Sequence, residues 1–156
     1  MEVSSFSDIE EEFNRRVART VWCTVATVDP KGRPRTRILH PVWEGSTGWI
    51  ATGRHSPKEK HLAANPHVSL SYWDPNHEQV HVEATAEWED DRDEKLRIWQ
   101  LFKTTPSPYG YDPQIIWQGG PSDPSFGVLK LTPWRVELWS LRDMATGTDS
   151  RVWRAT

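Results

Sequence analysis

Apolar and polar positions repeat with two different periods along this chain, and the changes of period mark out its elements. Ile9, Phe13 and Val17 recur at helical spacing behind Ser7-Asp8-Ile9-Glu10, a Ser-x-x-Glu capping pattern, and predict a first helix running to about Arg19. The run WCTVATV is apolar and β-branched, breaks at Asp29-Pro30-Lys31-Gly32, and extended residues resume at Arg35, which predicts a hairpin. Gly45-Ser46-Thr47-Gly48 turns the chain into a short third strand, GWIATG. Ser56-Pro57-Lys58-Glu59 then opens a helix that Asn65-Pro66 stops. Ser56 is a good N-cap, Pro57 suits the first helical position, and Glu59 completes the capping box.

The second half continues the pattern. In HVSLSYWD the residues Val68, Leu70 and Tyr72 alternate with polar ones, and a turn at 74–77 leads to QVHVEATAEWED. There Val80, Val82, Ala84 and Ala86 take one face while Gln79, His81, Glu83, Thr85 and Glu87 take the other. DRDEKLRIWQLFKTT returns to helical spacing, with acidic residues in its first turn and Leu96, Trp99 and Phe102 inward. Residues 106–125 are rich in Pro and Gly and predict a long loop with one helical turn at 113–117. Two strands, FGVLKLTP and WRVELWSL, are expected on either side of Pro133, and the tail from Arg142 is polar and irregular apart from Val152 and Trp153. Seven short strands joined mostly by hairpin-length turns predict a mainly β fold, a closed antiparallel barrel with peripheral α-helices, as one domain over residues 1–156.

Composition narrows the chemistry. A net charge of −3 with acidic and basic residues interspersed excludes a general nucleic-acid binder. The single cysteine, Cys23, sits in an apolar strand and reads as a buried, inert thiol. The acidic N-terminus has no charged-then-apolar leader and no run approaches membrane length, so a cytoplasmic protein is expected. Ten tryptophans favour aromatic surface at a cleft or a subunit interface.

Arg35 and Arg37 lie two apart on one strand and therefore share a face, and the Ser56 helix start follows them. If Arg37 and Lys58 converge, the chain holds a phosphate clamp; the alternative is a solvated arginine strand followed by an ordinary capped helix. The six histidines raise a metal or haem site, but His77 and His81 fall in a turn and a strand, with no Cys or carboxylate at ligand spacing. His40 alternates away from Arg35 and Arg37. Tyr109, Tyr111 and Trp117 either wall a flat ligand or staple the long loop to the barrel. No residue stands out as a nucleophile or general acid.

Four motifs resemble the pyridoxamine 5'-phosphate oxidase-like family, the split-barrel flavin-binding proteins, over about residues 15–140. They are Gly32-x-Pro34-x-x-Arg37; Ala51-Thr52-Gly53 leading to Ser56-x-Lys58 and Asn65-Pro66; Glu78-Gln79-Val80; and Val136-Glu137-Leu138-Trp139. The resemblance implies an antiparallel split β-barrel and a homodimer with FMN at the subunit interface. It also implies a cofactor-binding set of Arg35, Arg37, Ile38, Thr52, Gly53, Ser56, Lys58, Gln79 and Trp139. Within that set Arg37 and Lys58 hold the phosphate, Thr52 and Gln79 fix the ring, and Trp139 lies beside it. Hydride would pass between the flavin and a small, flat, unsaturated substrate. The chain departs from the oxidase proper in having Val42 and Pro57 at cationic positions and no matching C-terminal signature, so a phosphorylated vitamin substrate is not expected. The rivals are a relative that uses the deazaflavin coenzyme F-420, with Lys60 as second cation, and a non-catalytic flavin- or haem-binding module.

Overall fold

The computed structural model describes residues 1–156, built on one nine-stranded sheet. Its strands are β1 (Glu2–Val3), β2 (Cys23–Val28), β3 (Pro34–Leu39), β4 (Pro41–Glu44), β5 (Thr47–Gly53), β6 (His67–Trp73), β7 (Glu78–Trp88), β8 (Phe126–Ser140) and β9 (Arg151–Arg154). The helices are α1 (Glu10–Thr20), α2 (Lys58–Ala64), α3 (Arg92–Thr104) and α4 (Leu141–Thr146). Strands β3, β2, β6, β7 and β8 lie side by side, all antiparallel. Beyond β8 the sheet branches. Its first half pairs with β5, which carries β4, and its second half pairs with β9, which carries β1 in parallel.

The split barrel expected from sequence is not formed, because the sheet does not close. Strands β3 and β4 follow one another around His40 yet do not pair, so each remains an edge. Both edges carry residues that resist pairing: Pro34, Arg35 and Arg37 on β3, and Pro41 on β4. The fold is a mixed α/β arrangement on a large, open, mostly antiparallel sheet.

Other boundaries also moved. Pro133 does not divide two strands; β8 runs through it, and the β7–β8 register shifts between Glu83 and Ala84 to absorb it. The tail forms α4 and β9, and PVWE supplies β4. At the N-terminus the capping box is Ser5 with Asp8, around a 3-10 turn that precedes α1. Ser56 does not cap α2; Pro57 holds that position and no side-chain bond is made there.

One face of the sheet builds the core. Val25, Leu70, Val82 and Val136 pack with Phe13 and Val17 of α1, and Trp43 of β4 donates its indole N–H to the Tyr72 hydroxyl at 3.0 Å. A second cluster gathers Ile98, Trp99 and Phe102 of α3 with Val42, Trp49, Trp117 and Phe126. Burial pushes the Cys23 thiol up to about 12, which makes it inert. No helix is long and apolar enough to cross a membrane.

Helix α1 is tied to β7 through Glu78. Arg15 donates to both its oxygens, at 3.3 and 3.2 Å, and Arg19 bridges it to Asp74. The Arg15 hydrogen bond is the largest of the effects that bring the Glu78 carboxyl down from 4.5 to about 2. A depressed carboxyl stabilises the fold above its unfolded value and loses that contribution as pH falls through its folded value. Thermal stability is therefore expected to fall as pH drops between these two values, from 4.5 down to about 2. Glu78→Gln is expected to cost about 1 kcal/mol near neutrality, the pair being partly screened, and to flatten the acid limb. Melting curves across that range check both. An unchanged acid limb in the variant would remove Glu78 from the account.

Candidate functional site

Arg35 and Arg37 stand opposite Thr27 and Val25 in the β2–β3 ladder, so their side chains leave the core side of the sheet at its edge. Helix α2 packs on this end of β2, held by a 2.8 Å hydrogen bond between Thr27 Oγ1 and His61 Nδ1. That contact brings Lys58, only 8% exposed, beside Arg37. Burial lowers the pKa of Lys58, and the Arg37 charge lowers it further. Arg37 is lowered by burial and then by Arg35. No carboxylate pairs with any of the three; the one side-chain bond of Arg37 goes from Nη1 to the Val25 carbonyl, at 3.2 Å. Ser56 Oγ, two residues before Lys58, lies buried without a hydrogen-bond partner. Two half-desolvated cations without counter-charge, and an unsatisfied hydroxyl, are costly unless an anion completes them. Because α2 has seven residues and no side-chain cap, the cations and the hydroxyl rather than a helix dipole make this site.

Ser56 donates its N–H to the Gly53 carbonyl at 3.2 Å, which links the cation cluster to the end of β5. Thr52 and Gly53 there also line a cavity of about 550 Å³. Its other walls are Leu39 and His40 at the β3–β4 joint, and Tyr111 and Trp117 from the loop after α3. His40 Nε2 donates to the Tyr109 carbonyl at 2.5 Å, and the Trp43 N–H donates to the Tyr109 hydroxyl at 2.8 Å. Tyr109 is thus the staple of the loop, whereas Tyr111 and Trp117 are its inner wall. Burial pushes both tyrosine hydroxyls up to about 12, so they stay neutral.

His40 is the residue that sequence reasoning missed. It does alternate away from the arginines, yet the loop folds back to meet it, and its ring lies 5.1 Å from Trp22 and 5.3 Å from Tyr111. A histidine within the apolar run ILHPVW was the available signal.

Three expected residues fall elsewhere. Gln79 and Trp139 pair with each other across β7 and β8, and Arg16 Nη1 donates to both their carbonyls, at 2.8 and 2.7 Å. The ladder aligns Arg37 with Val25, Leu70 and Val82, which sets Gln79 three strands and three residues away on the opposite face. At ordinary strand spacing that is on the order of 17 Å. Ile38, 60% exposed, also faces that opposite side. One copy of the chain therefore presents the expected set as two separate groups.

A family model described as Pyridoxamine 5'-phosphate oxidase matches residues 9–140. A pyridoxine/pyridoxamine 5'-phosphate oxidase of Bacteroides thetaiotaomicron is 30% identical over 157 residues, covering 86% of this chain and 73% of that protein. The protein so described from Aliivibrio salmonicida is 46% identical over 66 residues, 41% of this chain and 31% of its own. Among solved structures, a Clostridium acetobutylicum protein related to general stress protein 26 superposes with a TM-score of 0.74 at 19% identity, covering 94% of each chain. A pyridoxamine 5'-phosphate oxidase-related, FMN-binding protein of Nostoc punctiforme gives 0.65 at 19% identity, over 99% of this chain and 98% of that one. At these identities the structural matches establish a shared fold.

Proposed function

The chain belongs to the pyridoxamine 5'-phosphate oxidase family, and on that premise we propose that it binds FMN and acts as an oxidoreductase on a small, flat, unsaturated substrate. The observation that carries this reading is Lys58, buried beside Arg37 without a carboxylate, with the unpartnered Ser56 hydroxyl two residues before it. A phosphate supplies the missing negative charge and the acceptor oxygens, and the arginine forks hold two oxygens at once. Arg37, Lys58 and Ser56 would hold that phosphate, Arg35 would assist from the exposed edge, and Thr52 and Gly53 would meet the ring beside the cavity. When bound, FMN supplies the hydride chemistry, and the chain binds it, orients it and excludes water. Lys60, the second cation a deazaflavin coenzyme would use, is exposed, while Lys58 is buried. That contrast favours FMN.

Gln79, Trp139 and Ile38 fit the same site when a second copy supplies them. They share the face of the sheet that leaves Ile38 at 60% and Trp73 at 55% exposure. Because the cations emerge at the β3 edge, a homodimer that pairs these faces across the β3 edges would bring one chain's Gln79 towards the other's cation cluster. Spectrophotometric titration tests the cofactor: about one FMN per chain is expected, and uptake of neither FMN nor the deazaflavin would overturn the reading. Ile38→Asp tests the second copy. It is expected to leave the monomer folded, to shift sedimentation to monomer, and to weaken FMN binding at least tenfold, roughly what loss of one or two polar contacts gives. A variant that remains dimeric with full affinity would place the interface elsewhere.

A further inference from the structure

The cavity walled by the loop after α3 carries chemistry of its own. None of its lining residues is charged, and its lining mixes Leu39, Tyr111 and Trp117 with a few small polar groups. The cations lie outside it, beyond Thr52 and Gly53. A phosphate or carboxylate placed among these residues would lose its hydration with no counter-charge to replace it. The curated relatives are described as oxidases of phosphorylated pyridoxine and pyridoxamine. A second phosphate has nothing to meet it here.

The polar group that gives this cavity direction is His40. Its Nε2 faces a carbonyl, which can only accept, so the proton is on Nε2 and Nδ1 is a bare acceptor. Nδ1 makes no hydrogen bond of its own, and the ring lies between Trp22 and Tyr111 in the wall. Burial lowers the pKa of the imidazole, and the Tyr109 hydrogen bond opposes that shift. Flat rings of the wall favour a flat partner, and a free acceptor favours a donor.

We propose that this cavity takes an uncharged, planar aromatic substrate bearing one O–H or N–H group, which donates to His40 Nδ1. The proposal deepens the oxidoreductase reading and rests on it for what the bound molecule is used for, though not for the binding itself.

Three probes of one shape separate the possibilities: 2-naphthol, naphthalene and 2-naphthyl phosphate, titrated calorimetrically into the FMN-loaded protein and into the cofactor-free protein. In the loaded protein 2-naphthol is expected to bind at least tenfold more tightly than either companion, about the worth of one hydrogen bond or one uncompensated charge. His40→Phe keeps a flat ring in the wall and removes the Nδ1 acceptor, while the Tyr109 hydroxyl still accepts from the Trp43 N–H. It is expected to reduce 2-naphthol to the affinity of naphthalene while naphthalene itself is unchanged. Ile116→Lys puts a cation on the cavity rim at a residue 61% exposed, and is expected to raise 2-naphthyl phosphate binding about tenfold. Absence of 2-naphthol binding, equal binding of the phosphate ester by the loaded protein, or unchanged 2-naphthol affinity in His40→Phe would each overturn the proposal. Preference for 2-naphthol in a protein that takes up no FMN would uphold the cavity assignment and end the cofactor reading.

Discussion

Lys58→Met is expected to weaken FMN binding by roughly 10- to 150-fold and, at the same time, to raise the unfolding temperature of the cofactor-free protein. The two signs have one cause. Lys58 is 8% exposed, the like charge of Arg37 acts on it, and both effects disfavour its ammonium form. Without a ligand, that ammonium is a buried charge that nothing compensates, and a methionine of similar length fills the space without it. The gain in the empty protein is expected at about 1 kcal/mol. With a phosphate bound, the same ammonium makes a charge-assisted hydrogen bond, and its loss costs roughly 1.5 to 3 kcal/mol. Arg37→Ala is expected to lower affinity by the same range, but it also releases the Val25 carbonyl and so adds no stability. Fluorescence titration with FMN and melting of the empty protein read both quantities. A lysine serving the fold would behave oppositely, with the variant less stable and affinity unmoved. That outcome would sink the clamp.

The approach of Lys58 to Arg37 was legible because the parts of the motif are local. Arg35 and Arg37 share a face by the two-residue repeat of a strand, and Ser56 and Lys58 sit on the next element at a fixed spacing. Even so, the motif Ser-Pro-Lys-Glu was read as a cap. The same four residues fit a hydroxyl bonded to the helix and a hydroxyl left free, and the structure has it free. Closure of the sheet was not legible. It depends on whether β3 and β4 meet, and Pro41 and the β3 arginines keep both as edges. Nor could the alternation around Pro133 show that one extra residue opposite Glu83 and Ala84 lets β8 continue. His40 was legible as a histidine in an apolar run, but its partner Tyr109 comes from a loop 69 residues away, whose path no periodicity describes. Distant contacts decide these features, and a local pattern carries no information about them.

The loop itself hangs on Gly110, and Gly110→Ala is expected to destabilise the protein by about 3 kcal/mol. A Cβ there would lie 2.0 Å from the Thr105 carbonyl oxygen, 2.6 Å from its carbon and 2.7 Å from the Phe102 carbonyl oxygen. All three are backbone atoms, so no side-chain rotation relieves the overlap. The approach is close because the chain doubles back on the end of α3. Gly110 N–H reaches the Pro106 carbonyl at 2.8 Å, and Tyr111 N–H reaches the Phe102 carbonyl at 3.0 Å. For alanine to fit, this segment must lift. That movement draws Tyr109 away from His40 and Trp43 and opens the cavity wall at Tyr111. The cation cluster stands on other elements, β3 and α2, and does not depend on the loop. The variant is therefore expected to unfold at lower urea, to lose 2-naphthol binding, and to keep FMN affinity within about threefold, less than the loss of a single hydrogen bond. Urea titration with the two binding measurements separates the cases. Wild-type stability in Gly110→Ala would mean the loop does not dock on α3. Loss of FMN together with the aromatic probe would mean that cavity and clamp form one unit, with the loop holding the cofactor as well as the substrate.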